Sequence, residues 1–357
     1  MDKDKFFAIK GDQMESPESW FHRRATFYVE TQILFHLNQV GVLNLLNKGG
    51  SYTTTQIADC LHLDVGATDA LLDYVFEVDD LLDRDRQDKY SLSEFGKKVV
   101  DRFSKMNGDA AQASINMFDV RVGAYGPVWQ NLSQMLSGKS RYGQDFNRAG
   151  QYAENGVFKL AGNFWNSLIE QVDELDVESI VEVGLTGLLE KLGENYSDRQ
   201  LYGLDKNKLT VERNAESAKA KKINNIRWIH GDYLEPDGWC QSVNAKRSGV
   251  IYSLHFHELM ERGEEHFVNT LRELKALLPN WTVIAFEQPR LPHSDKESIP
   301  ETLWLYSQSN ILIHHLIGNG KILSRDAWLE LGTRAGCRKV TDRACNYLGY
   351  RAFMFQL

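Results

Sequence analysis

Acids, glycines and histidines recur in this chain at the ends of apolar runs, where a folded sheet would gather them. The run Ser179-Ile-Val-Glu-Val-Gly-Leu-Thr-Gly-Leu-Leu189, followed by Leu201-Tyr-Gly-Leu-Asp205, reads strand, glycine turn, helix, strand, acid. Gly184 and Gly187 lack a Cβ, so backbone N–H groups of the turn can approach a ligand closely. Asp205 closes the second strand at the spacing where one carboxylate takes both hydroxyls of a ribose. This layout is a nucleotide-cofactor cradle. A third strand, Ile226-Arg-Trp-Ile-His-Gly-Asp-Tyr233, ends in Gly231-Asp232, and a fourth, Gly249-Val-Ile-Tyr-Ser-Leu-His255, ends in the polar cluster His255, His257 and Glu258. A fifth, Trp281-Thr-Val-Ile-Ala-Phe-Glu287, ends in an acid. Open α/β sheets bind ligands at the carboxyl edge of their strands, so these groups are expected to share one crevice.

Glu182 stands two residues before the first glycine, and that placement resembles motif I of the class I S-adenosylmethionine-dependent methyltransferases more than a dinucleotide site. Asp205 then resembles motif II and Gly231-Asp232 motif III. The resemblance implies an α/β fold with a Rossmann-like methyltransferase sheet and S-adenosyl-L-methionine as cofactor. Glu182, Gly184 and Gly187 would hold the methionine end, Asp205 the ribose, and Asp232 the adenine amino group, with Tyr233 beside it. Leu185 and Thr186 depart from the pattern, standing where the family has small residues.

Methyl transfer from a sulfonium is an in-line displacement that mainly requires alignment in a dry pocket. An oxygen acceptor must also lose a proton, for which an imidazole is the natural base. In the small-molecule O-methyltransferases that base follows strand four. His255 occupies the position in Leu254-His-Phe-His-Glu258, where the family has His-Asp-Trp. Glu287 matches one of the two acids that orient the base in the plant enzymes, and the other falls near Ile322. Three readings stay open. His255 is a base held by Glu287. Alternatively no base is needed, because the acceptor is a thioether, and His255, His257 and His314 bind an anionic group on it; this resembles the methyltransferases that act on 4-methylthio-2-hydroxybutyrate in dimethylsulfoniopropionate synthesis. In the third reading the histidines and acids of the cluster chelate a metal, although none is assigned.

The elements that must position these groups make two domains the natural expectation for 357 residues. From Phe21 to Phe103 the pattern is helical and then winged. Ser51-Tyr-Thr-Thr-Thr55 opens one helix, Ala67 to Val78 forms another, and Lys89-Tyr-Ser-Leu-Ser93 is the strand of a small wing. Residues 1–105 thus resemble the family's N-terminal winged-helix dimerisation domain, which implies a homodimer. Its second helix carries Asp69, Asp73 and Glu77 and no basic row, and with a net charge of -8 this argues against nucleic acid.

Residues 106–172 read as linking helices that line an acceptor pocket. Their aromatics include Phe118, Tyr152 and Phe158, and Tyr142 and Phe164 are the substrate-contact candidates. Residues 173–357 form the sheet domain, closed by a helix over Leu323 to Gly336 and a final strand pair, Arg338 to Thr341 and Tyr350 to Gln356. Within it, Tyr306, Asn310 and His314 are further acceptor-binding candidates on the segment before Ile317, with Asn310 and His314 one helical turn apart. Cys60, Cys240, Cys337 and Cys345 are too scattered for a disulfide framework. No run is long and apolar enough to span a bilayer and no apolar leader follows Met1, so the expected setting is cytoplasmic, without membrane attachment. The expected function is methyl transfer to the oxygen or sulfur of a small polar or acidic metabolite. A rival is a methyltransferase-like binding or regulatory protein whose altered glycine turn no longer takes cofactor.

Overall fold

The computed structural model describes residues 16–104, 119–150, 164–244, 246–318, 320–345 and 349–357. The aromatics Phe118, Tyr152 and Phe158 of the linking segment lie outside the described residues. The chain divides into two compact units, Met1–Lys105 and Met106–Leu357. The second boundary expected near residue 172 is absent from this division: the helix Trp165–Leu175 buries Leu168 and Val172 in the core of the sheet it was expected to precede.

In the first unit α1 (Pro17–Gln39) and α2 (Val42–Asn47) precede β1 (Tyr52–Thr53), α3 (Thr54–Leu61), α4 (Val65–Val78), β2 (Leu82–Arg84), β3 (Lys89–Leu92) and α5 (Glu94–Ser104). Thr53 and Gln56 form a reciprocal capping box that starts α3, and the Asp64 carboxylate accepts from Ala67 N–H at 2.7 Å to start α4. The strands pair antiparallel in the order β1-β3-β2. The acids of α4 serve this small sheet. Asp73 accepts from Arg84 at 2.8 Å and from the Tyr90 hydroxyl at 2.5 Å, and Asp69 accepts from Thr54 at 2.7 Å. Trp20, Phe21, Phe27 and Tyr28 of α1 remain exposed.

Among the described residues of the second unit, seven strands form one sheet in the order β6-β5-β4-β7-β8-β10-β9. These are β4 (Ser179–Val183), β5 (Gln200–Asp205), β6 (Ile226–His230), β7 (Gly249–Ser253), β8 (Trp281–Glu287), β9 (Lys339–Ala344) and β10 (Arg351–Gln356). The first five run parallel, while β10 lies antiparallel between β8 and β9. Strands β4, β7 and β8 are buried at every position, as continuous apolar runs covered on both faces require. One core packs Val181, Val183 and Ile251 with Phe267 and Trp328, and another packs Ile180, Val250 and Ile284 with Leu168 and Leu189. From β4 the chain builds outward to β5 and β6, then returns to add β7 on the other side. The carboxyl ends of β4 and β7 therefore flank the topological switch point, where such sheets open a crevice.

Candidate functional site

The glycine turn is built by its own acid. Gly184 has φ +71° and Gly187 φ +84°, left-handed values that favour glycine. Gly187 is also the N-cap of the helix Leu188–Asn195. The buried Glu182 carboxylate accepts from Thr186 N–H at 3.0 Å, from Leu189 N–H at 3.2 Å and from the Thr186 hydroxyl. Burial outweighs these bonds and pushes its carboxyl up to about 7. Glu182 thus shapes the turn from within, so any part it has in holding a ligand acts through the backbone. The two departures from the expected motif are accommodated. Thr186 supplies a donor to Glu182, and Leu185 leans on the bare Cα of Gly203, where an added Cβ would lie 3.0 Å from Leu185 Cδ2 and 2.5 Å from Trp228 Cε3.

Asp205 joins the turn to the next strand tip. Its Oδ2 accepts from Leu185 N–H at 3.2 Å and its Oδ1 from Asn207 N–H at 2.7 Å. Asp232 is half-buried, and its Oδ1 accepts from Leu234 N–H at 3.0 Å. Tyr233 is buried and donates its hydroxyl to Glu258 at 2.5 Å, which ties the loop after β6 to the segment after β7. Burial and the Glu258 charge hold that phenol far above its ordinary range.

The histidine segment is a 3₁₀ helix, Phe256–Arg262, with His255 at its N-cap. Ser253 fixes its origin by donating to the Val183 carbonyl at 3.1 Å and accepting from His255 N–H at 2.9 Å, which binds the tips of β4 and β7 together. With three residues per turn, positions three apart eclipse and positions two apart diverge. His255 Nδ1 accordingly sits 3.6 Å from Glu258 Oε1, while His257 turns to β8. There Glu287 accepts from His257 N–H at 2.8 Å and lies 2.9 Å from His257 Nδ1. This corrects the expected pairing, because Glu287 holds His257 and the acid beside His255 is Glu258. Burial lowers the proton affinity of His255, with Glu258 opposing and His257 and Arg148 reinforcing. Burial also acts on His257, but the Glu287 carboxylate outweighs it and raises that imidazole above its ordinary value.

His255 packs directly on the glycine turn: a Cβ added to Gly184 would lie 2.5 Å from His255 Cδ2. His255, His257 and Glu258 each bring one ligand atom within 4.8 Å of the others. Two of these residues already use part of their capacity, His257 on Glu287 and Glu258 on Tyr233. The residues do not by themselves require a cation.

Of the residues expected to bind an acceptor, Tyr306, Asn310 and His314 are spaced at four-residue intervals on the helix Glu301–Ile317 and share a face. His314 meets His257 edge to face at 4.4 Å between ring centroids. Tyr142 is half-buried, 5.8 Å from Phe146 in a cluster with Tyr125 and Ile313. Phe164 does not line the site. It is fully buried against Phe286 and Tyr350 beneath the sheet, because the helix that follows it packs as core.

Arg121 was not among the sequence candidates. It lies on a π-helical turn, Asp119–Ala124, with its Cζ 5.0 Å over the Tyr306 ring and its Nη2 donating to Asn310 Oδ1 at 3.3 Å. Arg148, whose Nη1 is 3.4 Å from the Tyr125 hydroxyl, was missed as well. The available signal was a lone arginine in the apolar run before Gly126-Pro127.

No protein-family profile matches this sequence, and no curated protein matches it. Solved structures do. Mitomycin 7-O-methyltransferase MmcR superposes with a TM-score of 0.67 at 14% identity, covering 95% of this chain and 98% of that one. Human N-acetylserotonin methyltransferase in complex with SAM gives 0.64 at 14% identity, covering 97% and 99%. A pericyclic reaction enzyme gives 0.61 at 14% identity, covering 96% and 90%. The fold is therefore the α/β fold of the O-methyltransferases, with a Rossmann-like sheet after a helical N-terminal domain.

Proposed function

We propose that this protein transfers a methyl group from S-adenosylmethionine to the oxygen or sulfur of a small polar or acidic metabolite. The observation that carries this reading is the contact between Gly184 and His255 at the switch point of the sheet, which sets an imidazole against the turn that would hold the sulfonium. Gly187 would present its backbone N–H to the methionine end in a turn shaped by Glu182, and Gly184, whose own N–H donates to the Leu204 carbonyl at 3.0 Å, would leave room for the close approach. Asp205 would take the ribose hydroxyls, and Asp232, with the Tyr233 ring, would border the adenine. The similar human enzyme was crystallised with SAM, which supports this cofactor.

In this reading the cofactor supplies an electrophilic methyl, and the protein aligns the acceptor while excluding water. His255, kept neutral by burial, is suited to accept a proton from a hydroxyl acceptor at Nε2 or Nδ1. Glu287 supports the acceptor wall through His257, and Tyr142, Tyr306, Asn310 and His314 contribute the rest of that wall.

A thioether acceptor such as 4-methylthio-2-hydroxybutyrate is the second reading. It is favoured by the attachment of Glu287 to His257, which leaves His255 without a tightly hydrogen-bonded carboxylate among the described residues. Sulfur already carries a free lone pair and needs no base. The exposed aromatic face of α1 supports a homodimer through the first unit, read as a winged-helix dimerisation domain. A small-molecule acceptor, rather than a nucleic acid, fits the acidic net charge. Incubation with methyl-labelled cofactor and a panel of phenols and thioether acids tests the proposal. Label recovered in a product supports it, and binding of cofactor without transfer to any acceptor would favour a regulatory protein or a non-methylating reaction on this fold.

A further inference from the structure

Arg121 carries a charge that the described residues do not neutralise. The residue is half-buried, yet its Nε and Nη1 are shut from solvent and have no hydrogen-bond acceptor among those residues. Its remaining nitrogen has the neutral amide oxygen of Asn310, at 3.3 Å, and its Cζ lies 5.0 Å from the centre of the Tyr306 ring, whose hydroxyl is a further neutral partner. No carboxylate among the described residues forms an ion pair with it. A guanidinium withdrawn from water without an anion is costly, and folds keep one where an incoming anion completes it.

The position of Arg121 matters as much as its charge. It sits on a π-helical turn, an irregularity that recurs at functional sites. From it a line of neighbouring residues leads to the glycine turn: Asn310, then His314 one turn along the same helix, His257 at 4.4 Å between ring centroids from His314, His255 at 6.3 Å between ring centroids from His257, and Gly184. Arg148 adds a second positive charge felt at His255.

We infer that Arg121 is the anchor for a carboxylate on the acceptor, so that the substrate is a small carboxylic acid held by its acid end and methylated at its far end. This deepens the methyl-transfer reading and rests on it for the second half. Arg121 would pair with the carboxylate through its planar fork, Asn310 would hold the fork in orientation, and the acceptor chain would run past His314 and His257 toward His255. One guanidinium beside one neutral amide matches a single negative charge.

The test is calorimetric titration of the full chain, alone and saturated with S-adenosylhomocysteine, with hydroxyphenylpropionate and methylthiobutyrate, each beside its methyl ester. The acids are expected to bind at least about tenfold more tightly than the esters. Arg121→Met is expected to abolish that preference by weakening the acids about 10- to 150-fold while leaving the esters and S-adenosylhomocysteine unaffected. Its melting temperature is expected to hold or rise, since an unpaired charge is removed; a structural arginine would instead lower it. Arg121→Lys, which keeps the charge and loses the fork, is expected to retain a reduced preference for acids. Equal binding of acids and esters by the native protein, or an acid preference untouched in both variants, would overturn the inference. Absence of S-adenosylhomocysteine binding would count against the methyl-transfer reading separately, because the acid and ester comparison is also made on the free protein.

Discussion

Gly184 and His255 occupy one another's space: the glycine has no Cβ, and one placed there would lie 2.5 Å from Cδ2 of the imidazole. The first loop of the sheet and the histidine after its fourth parallel strand are thus packed as one unit. Gly184→Ala must also accommodate φ +71°, which alanine disfavours. The substitution should displace His255, weaken cofactor binding at least about tenfold and lower turnover, with far-ultraviolet circular dichroism unchanged. Calorimetry and initial rates check both parts, and a variant with native affinity and rate would show that the contact is incidental.

The two carboxylates near the histidines should separate by substitution. Glu287→Gln removes the charge that raises the proton affinity of His257, leaving burial to lower it. The His257 resonance in a proton NMR titration should therefore move to lower pKa in Glu287→Gln and change much less in Glu258→Gln. Glu258→Gln should instead perturb His255 and Tyr233, its own partners. The reverse assignment would restore the pairing of His255 with Glu287.

Much of this arrangement was legible before the structure. Strands β4, β5, β7 and β8 emerged from the sequence, because buried parallel strands are unbroken apolar runs bounded by polar tips, although β7 stops at Ser253 where the apolar run reads on to His255. Asp205 stands at the end of β5, and Gly184 and Gly187 in the turn after β4, where their spacing puts them. The partner of Glu287 was not, since it depends on the 3₁₀ course of Phe256–Arg262, which sends residues two apart in divergent directions. Phe164 shows the matching failure: an aromatic in a linking segment looks the same whether it faces a pocket or the core. Arg121 was hidden because a π-helical turn has no periodicity to read.

Glu182 gives the fold a pH dependence of opposite sign to that of a salt-bridged acid. Its carboxyl is raised from 4.5 to about 7, so the folded state binds a proton that the unfolded chain has already lost between these values. Its contribution to stability is therefore full below pH ~4.5 and falls as pH rises to ~7, by an amount on the order of a few kcal/mol. Denaturant melts at pH 5 and pH 8 should show this fall in the native protein and a smaller one in Glu182→Gln. Equal slopes in the two proteins would remove Glu182 as the source.

Acceptor chemistry can be read from the pH profile. Burial lowers the proton affinity of His255, so an oxygen acceptor should be methylated at a rate that stays level near neutrality and drops only at pH values below the ordinary imidazole range, near 6.5. His255→Ala should then cost about a hundredfold or more in turnover. A thioether acceptor should show little pH dependence and a much smaller loss in the same variant.

Calorimetric titration of the native protein and of Asp205→Ala with S-adenosylmethionine decides whether the tips of β4, β5, β6 and β7 hold a sulfonium nucleoside. The native chain should show saturable one-site binding, and the variant an affinity about 10- to 100-fold weaker, with its melting temperature in the absence of ligand close to native. Binding that is absent in the native protein, or that is indifferent to Asp205, would contradict that reading.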